Sequence, residues 1–242
     1  MERHASNDCR KKVKKNKRKK RKKRKKKRKA GQAREAGLET SGLNCLLFNP
    51  CGLKNKEPII KNFMTTHNIG FAAFPESQTY HDTHISDENY VWDPGVENRP
   101  SLNHKHAAGG IGALISRDIS HSIVASGSYS AWFRIDCRLS EPIFVAACYF
   151  PQSSATKEHA RAWKELSSGI EDYRALGHII ILGDFNAHTG LDDSKVDTAG
   201  RLLTSNVDNL GLQVLNDTDL CNGKYTRTAE QADGKVSRTT ID

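Results

Sequence analysis

The sequence predicts an α/β sandwich of mixed sheets. Short apolar runs alternate loosely with helix-period segments over residues 43–242. Two neighbouring runs near the middle, residues 131–139 and 143–148, read as an antiparallel hairpin turned at Glu141-Pro142. A purely parallel doubly wound sheet needs a long crossover between successive strands. The hairpin therefore argues for mixed sheets.

Residues 43–48 form a buried run ending at Asn49. Pro58 suits a first helical turn, and Ile59, Ile60, Phe63 and Met64 are expected on one apolar face of that helix. Residues 71–74 form a short apolar strand that ends at Pro75-Glu76. Residues 77–108 are polar, with several His and Asp and two Pro, and read as a long surface loop. Gly109-Gly110-Ile111-Gly112 then gives a tight backbone approach feeding a strand.

Along 131–139, Ala131, Phe133, Ile135, Cys137 and Leu139 alternate with Trp132, Arg134, Asp136 and Arg138, the period of a half-buried strand. Residues 143–148 are apolar throughout, read as more buried, and end at Tyr149-Phe150-Pro151. Residues 157–176 make the clearest helix: Ala160, Trp163, Leu166, Ile170, Tyr173 and Leu176 recur at three- and four-residue steps. Gly177 ends it, and a buried strand, 178–182, runs into Gly183-Asp184-Phe185-Asn186. A helix over 200–210, a short strand over 212–215 and a strand pair around Asp233-Gly234 complete the domain.

Charge separates a tail from this domain. Between Arg10 and Lys29 every residue except Val13 and Asn16 is Lys or Arg. Without those 18 charges the rest of the chain has 20 basic and 28 acidic residues, against +10 for the whole. Residues 1–42 are read as a disordered basic tail and linker, and residues 43–242 as the folded domain. The tail suits nuclear import and non-specific polyanion binding through counterion release, or is a low-complexity appendage. Six cysteines lack a CxxC pair, and three of them, Cys45, Cys137 and Cys148, lie in strand-like runs. That usage, with no apolar stretch near membrane-spanning length and no signal-peptide core, predicts an intracellular protein of nucleus or cytoplasm with no membrane partner.

The chemistry-bearing residues gather at predicted strand ends: Asn49, Glu76, Tyr149, Asp184, Asn186 and Asp242. Such ends position ligands in open α/β sheets, because the strand fixes the backbone and the loop frees the side chain. Oxygen donors without paired His or Cys suit a hard cation such as Mg²⁺, with Mn²⁺ able to replace it. Glu76 is the natural metal carboxylate. Asn49 can hold a metal or phosphate oxygen without adding negative charge. His81, His84, His104 and His106 have no zinc spacing, and His188 reads as a loop histidine. The Gly109–Gly112 run is not a nucleotide fingerprint, since it opens onto a strand.

Five segments in order carry a resemblance: Asn49-Pro50-Cys51-Gly52-Leu53, Pro75-Glu76-Ser77, Tyr149-Phe150-Pro151, Gly183-Asp184-Phe185-Asn186 and Thr240-Ile241-Asp242. Together they resemble the endonuclease/exonuclease/phosphatase superfamily, and most nearly the endonuclease domain of non-LTR retrotransposons. The resemblance implies a four-layer α/β/β/α sandwich of two mixed sheets flanked by helices. It implies Mg²⁺-dependent phosphodiester hydrolysis, with DNA the expected nucleic-acid partner. Glu76 and Asn49 are then the metal ligands. Asp184, Asn186 and Tyr149 are the catalytic groups, and Asp242 orients a histidine. That histidine belongs to a later Ser-Asp-His segment not found in these 242 residues, so the domain is expected to lack its last strands and to be a weak or inactive enzyme. Cys51 stands where some branches carry a second acid, and Gln152 where abasic-site enzymes carry Asn. A phosphatase of inositol phosphates or lipids on the same fold, and a catalytically dead nucleic-acid-binding protein, are the alternatives.

Overall fold

The computed structural model describes residues 42–79, 85–96, 109–136, 140–190, 195–216 and 218, and the backbone alone of 227–230 and 236–239. The first sheet contains β1 (Cys45–Leu47), β2 (Phe71–Pro75), β3 (Tyr90–Val96) and β4 (Ile111–Ser116) in the order β1-β2-β4-β3. The second contains β5 (Ser120–Ser126), β6 (Ser130–Asp136), β7 (Ile143–Tyr149) and β8 (His178–Asp184) in sequence order. Helix α1 (Glu57–Thr66) lies between β1 and β2, α2 (Thr156–Tyr173) between β7 and β8, and α3 (Thr198–Leu210) after β8. An antiparallel pair, β9 (Arg227–Glu230) and β10 (Val236–Thr239), forms a separate ribbon; the Asp233-Gly234 turn expected between them lies outside the described residues.

Each sheet holds one parallel pair joined through a helix: β1 with β2 through α1, and β7 with β8 through α2. All other pairings within the two sheets are antiparallel. These two strand–helix–strand units place Asn49 and Glu76 beyond the ends of one parallel pair. They place Tyr149 and Asp184 at the ends of the other.

Apolar burial explains the layers. Phe71 of β2 and Phe133 of β6 meet edge to face between the sheets, with ring centroids 5.4 Å apart. On the outer face of the first sheet, Ile60 and Met64 of α1 pack with Phe74, Tyr90 and Leu114. Outside the second sheet, Trp163, Leu166 and Ile170 of α2 and Leu203 of α3 pack with Trp132, Phe144 and Phe150. The result is the expected helix–sheet–sheet–helix order.

Several expected details differ. Only Ile60 and Met64 face the sheet from α1; Ile59 is 75% and Phe63 45% exposed. The four residues make two stripes about 100° apart, and only one can face the core. In α2, Trp163, Leu166 and Ile170 are buried as read, but His159 and Ala162 are buried where Ala160 is exposed. Leu176 lies past the helix end and is 58% exposed. The polar stretch 77–108 contains β3, and β5 forms over residues with no strand pattern of their own. Both are edge strands, where polar residues and Pro94 cost little because one side needs no ladder partner.

Residues 212–215 form no strand; they follow Gly211, whose left-handed backbone ends α3. Strand β8, read as buried, is half-exposed along most of its length, since among the described residues no strand covers its far edge. Cys148 is buried and Cys45 half-buried, and burial pushes the Cys45 thiol up to about 12. Cys137 lies outside the described residues. Among the described residues no helix is long and apolar enough to cross a membrane.

Candidate active site

Four strand ends converge here. Beyond β1, Asn49 turns the chain by accepting the Cys51 amide on its own Oδ1 at 3.0 Å. Its Nδ2 then donates to Asp184 Oδ2, also at 3.0 Å. Beyond β2, Glu76 has a left-handed backbone (φ 50°), and its carbonyl accepts the Gly52 amide at 2.9 Å. Tyr149, the last residue of β7, donates its phenol hydrogen to Glu76 Oε1. Tyr149 and Asp184 are register partners on parallel strands.

The loops are braced by backbone. Gly110 and Gly109 carbonyls accept the amides of Ser77 and Gln78 at 3.2 and 3.0 Å, and both glycines have positive φ. The tight approach expected before β4 thus clamps the loop carrying Glu76. Lys56 donates to the carbonyl of Pro50, closing the Asn49 loop from the other side.

In the Gly183-Asp184-Phe185-Asn186 turn, each residue has a separate task. A Cβ at Gly183 would lie 2.1 Å from the buried Cys148 Sγ, so only glycine fits. Asp184 Oδ1 accepts the Asn186 amide at 3.1 Å. Phe185 is stacked on Trp163, with centroids 5.6 Å apart, and packs beside Phe150. Asn186 has φ 47° and donates Nδ2 to the Phe150 carbonyl at 2.8 Å, and its side chain also hydrogen-bonds the Tyr149 hydroxyl. His188 lies in the loop after this turn, where its backbone amide meets Asp197, the cap of α3.

Electrostatics tune the two central groups. Burial pushes the Asp184 carboxyl above its ordinary range; Asn49 and the Asn186 amide oppose this, and the Glu76 charge adds to it. A carboxylate with raised proton affinity is a better acceptor for a proton from water. Burial, then the hydrogen bond and charge of Glu76, push the Tyr149 phenol well up, so it stays a donor. Among the described residues no three His, Cys, Asp or Glu side chains form a ready metal cage. The donors are two carboxylates and two amides.

Five of the six sequence-predicted site residues are therefore together: Asn49, Glu76, Tyr149, Asp184 and Asn186. Asp242 lies outside the described residues, as do His81, His84, His104 and His106. Sequence reasoning missed Lys56 and also Glu165 of α2, which binds the β5–β6 turn through backbone amides. Neither has a motif, because their partners are main-chain groups and, for Glu165, one serine hydroxyl.

Residues 143–242 match the family model described as endonuclease-reverse transcriptase. No curated protein matches the chain. Among solved structures, the chain is similar to the endonuclease domain of TRAS1, a telomere-specific non-LTR retrotransposon, with a TM-score of 0.57, 17% identity and 83% of each chain covered. It is similar to the 3′ phosphatase NExo from Neisseria bound to a product DNA hairpin, with a TM-score of 0.55, 11% identity, and 80% of this chain and 81% of that one covered. It is also similar to the Xenopus laevis APE2 catalytic domain, with a TM-score of 0.52, 15% identity and 67% of each chain covered. Residues 143–242 thus match that family model, and the fold of the chain is similar to that of a retrotransposon endonuclease domain and of a DNA 3′ phosphatase.

Proposed function

We propose that this chain is a divalent-metal-dependent phosphodiesterase acting on DNA, an endonuclease of retrotransposon type. The observation that carries the reading is the pair of contacts Asn49–Asp184 and Tyr149–Glu76, which joins four strand ends in one small polar site. Two acids close enough for Glu76 to raise the Asp184 pKa favour a cation between or beside them. Glu76 and Asn49 would hold Mg²⁺ or Mn²⁺, with water and phosphate oxygens completing the shell. When bound, the ion supplies Lewis-acid polarisation of the phosphoryl oxygen.

The chain's own residues supply the rest. Asp184 accepts a proton from the attacking water as the water oxygen bonds to phosphorus and the ester P–O bond breaks, and the leaving oxygen takes its proton from solvent. The Asn186 side-chain amide and the Tyr149 hydroxyl it bonds meet phosphate oxygens as charge builds there. The basic run from Arg10 to Lys29 would add non-specific affinity for nucleic acid and support a nuclear location. The family's phosphate-contacting histidine has no counterpart in the motifs of these 242 residues, so cleavage by this chain alone is proposed to be slow.

The test is nicking of supercoiled plasmid with Mg²⁺, by this chain and by a version extended with a Ser-Asp-His segment. The extended chain is expected to nick, and Glu76→Ala and Asp184→Ala to abolish it. Nicking that survives either substitution overturns the site. Cleavage of a phosphoinositide but not of DNA overturns the substrate. Salt-sensitive DNA binding with no cleavage even after extension overturns the enzyme reading.

A further inference from the structure

Glu165 lies on α2 between the buried Trp163 and Leu166, yet its carboxylate does not point to solvent alone. It collects the turn between β5 and β6. Ser128 N donates to Oε2 at 2.9 Å. Oε1 receives Tyr129 N at 3.0 Å, Ser130 N at 2.9 Å and Ser130 Oγ at 2.8 Å. The backbone closes on the acid so tightly that a Cβ at Gly127 would lie 2.2 Å from Glu165 Oε1. Four donors on one carboxylate, three of them consecutive amides, fix a turn that would otherwise leave those amides for water.

The same turn reaches the site. The carbonyl of Tyr129 accepts the backbone amide of Tyr149 at 2.9 Å, and Ser130 is the register partner of Cys148. The phenol of Tyr149 in turn holds Glu76. The carboxylate on α2 is thus two hydrogen-bonded steps from the amide that sets where Tyr149 begins. Tyr149 is the last residue of its strand, beyond the final β6–β7 pair at Ser130↔Cys148. Without the Tyr129 carbonyl its main chain would have no ladder partner on that side.

We propose that Glu165 is a positioning residue: through the 127–130 turn it fixes the main chain of Tyr149, and so the phenol against Glu76. The role in cleavage rests on the phosphodiesterase reading above, whereas the positioning itself does not. Glu165 touches neither Glu76 nor the reacting atoms in this scheme. Gln is a poor substitute because all four partners are donors: even with its oxygen at the Oε1 position, its NH₂ meets the Ser128 amide, donor against donor. Asp is one methylene too short to reach the same turn from α2.

The experiment uses the full chain labelled with ¹³C-tyrosine, with the Tyr149 signal assigned by Tyr149→Phe. Glu165→Gln and Glu165→Asp are expected to shift or broaden that signal, and Glu171→Gln, exposed on the same helix, to leave it in place. In the Ser-Asp-His-extended chain, Glu165→Gln is expected to lower kcat about tenfold, with KM within about twofold. A purely structural Glu165 would lower the melting temperature and leave the Tyr149 signal where it was. A folded Glu165→Gln with an unmoved Tyr149 signal, or with a raised KM at unchanged kcat, overturns the proposal. If Glu165→Gln does not fold, Ser130→Ala, which removes one of the four donors, must move the same signal; no movement is again fatal. Absence of nicking in every chain counts against the phosphodiesterase reading, and the Tyr149 signal still decides the positioning.

Discussion

Asn49 and Asp184 are 135 residues apart in sequence, and their side chains meet at 3.0 Å across the ends of two different sheets. The bond does two jobs. It links β1 to β8, and it offsets the burial that raises the Asp184 pKa. Removing the donor leaves a half-buried carboxylate short of a partner, which typically costs about 1–3 kcal/mol. Asn49→Ala is therefore expected to lower stability by that order in urea melts at neutral pH, and by less in an Asp184→Asn background. Equal losses in both backgrounds would show that the amide and the acid do not act together.

Asp184 itself is predicted to cost the fold stability. Its carboxyl is raised first by burial, then by the nearby Glu76 charge, and the hydrogen bonds of Asn49 and the Asn186 amide only partly compensate. The folded chain thus binds a proton at Asp184 more readily than the unfolded chain does. Stability then falls as pH rises from the ordinary carboxylate pKa through the raised one, because the native site must become charged. Asp184→Asn sets its NH₂ against one of the two donors, Asn49 Nδ2 or the Asn186 amide, a loss present at every pH. Relative to the parent it is nevertheless expected to gain stability as pH rises across that window without divalent cation, because the variant has no charge to bury. A stability difference that does not change across the window would contradict this.

Tyr149→Phe separates the phenol from the ring. The ring stays, and the phenol's hydrogen bonds with Glu76 and with the Asn186 side chain are lost. The phenol is pushed up by burial and by Glu76, so it remains a donor throughout the working pH range. Its loss is expected to lower kcat of the extended chain about 10²-fold, as for other donors to a developing anion. Stability should change by no more than about 1–2 kcal/mol. An unchanged kcat would assign Tyr149 to packing alone.

These residues were legible because each follows an apolar run, and a strand that stops on Asn, Glu, Tyr or Asp announces where it points. The two parallel pairs that gather them were less legible. Periodicity finds β7 and β8 but does not state that Tyr149 and Asp184 are register partners. Edge strands β3 and β5 are not legible in the sequence because Pro94, His121 and Ser122 are tolerated where, among the described residues, one side has no partner. Leu212, Val214 and Leu215 misled in the other direction: an alternating apolar stretch is a strand only where a sheet edge receives it. Glu165 carried no signal at all, since its four partners are three amides and one serine hydroxyl. A sequence does not mark which main-chain groups a carboxylate will find.

Gly183 offers the sharpest packing test of the turn. A Cβ there would meet Cys148 Sγ at 2.1 Å and the Cys148 carbonyl at 3.1 Å. The first contact involves the side chain of a fully buried residue, with no open space to move into. Gly183→Ala is expected to cost about 1–3 kcal/mol, the range for overpacking a filled core. Cys148→Ala removes the sulfur, loses some buried apolar volume by itself, and should recover part of the Gly183→Ala loss when the two are combined. The carbonyl contact persists, so recovery is expected to be incomplete. Urea melts of the two single variants and the double variant give the coupling directly. A coupling near zero would mean that the strands part at β7–β8 rather than the sulfur yielding, and Asp184 should then lose its register with Tyr149.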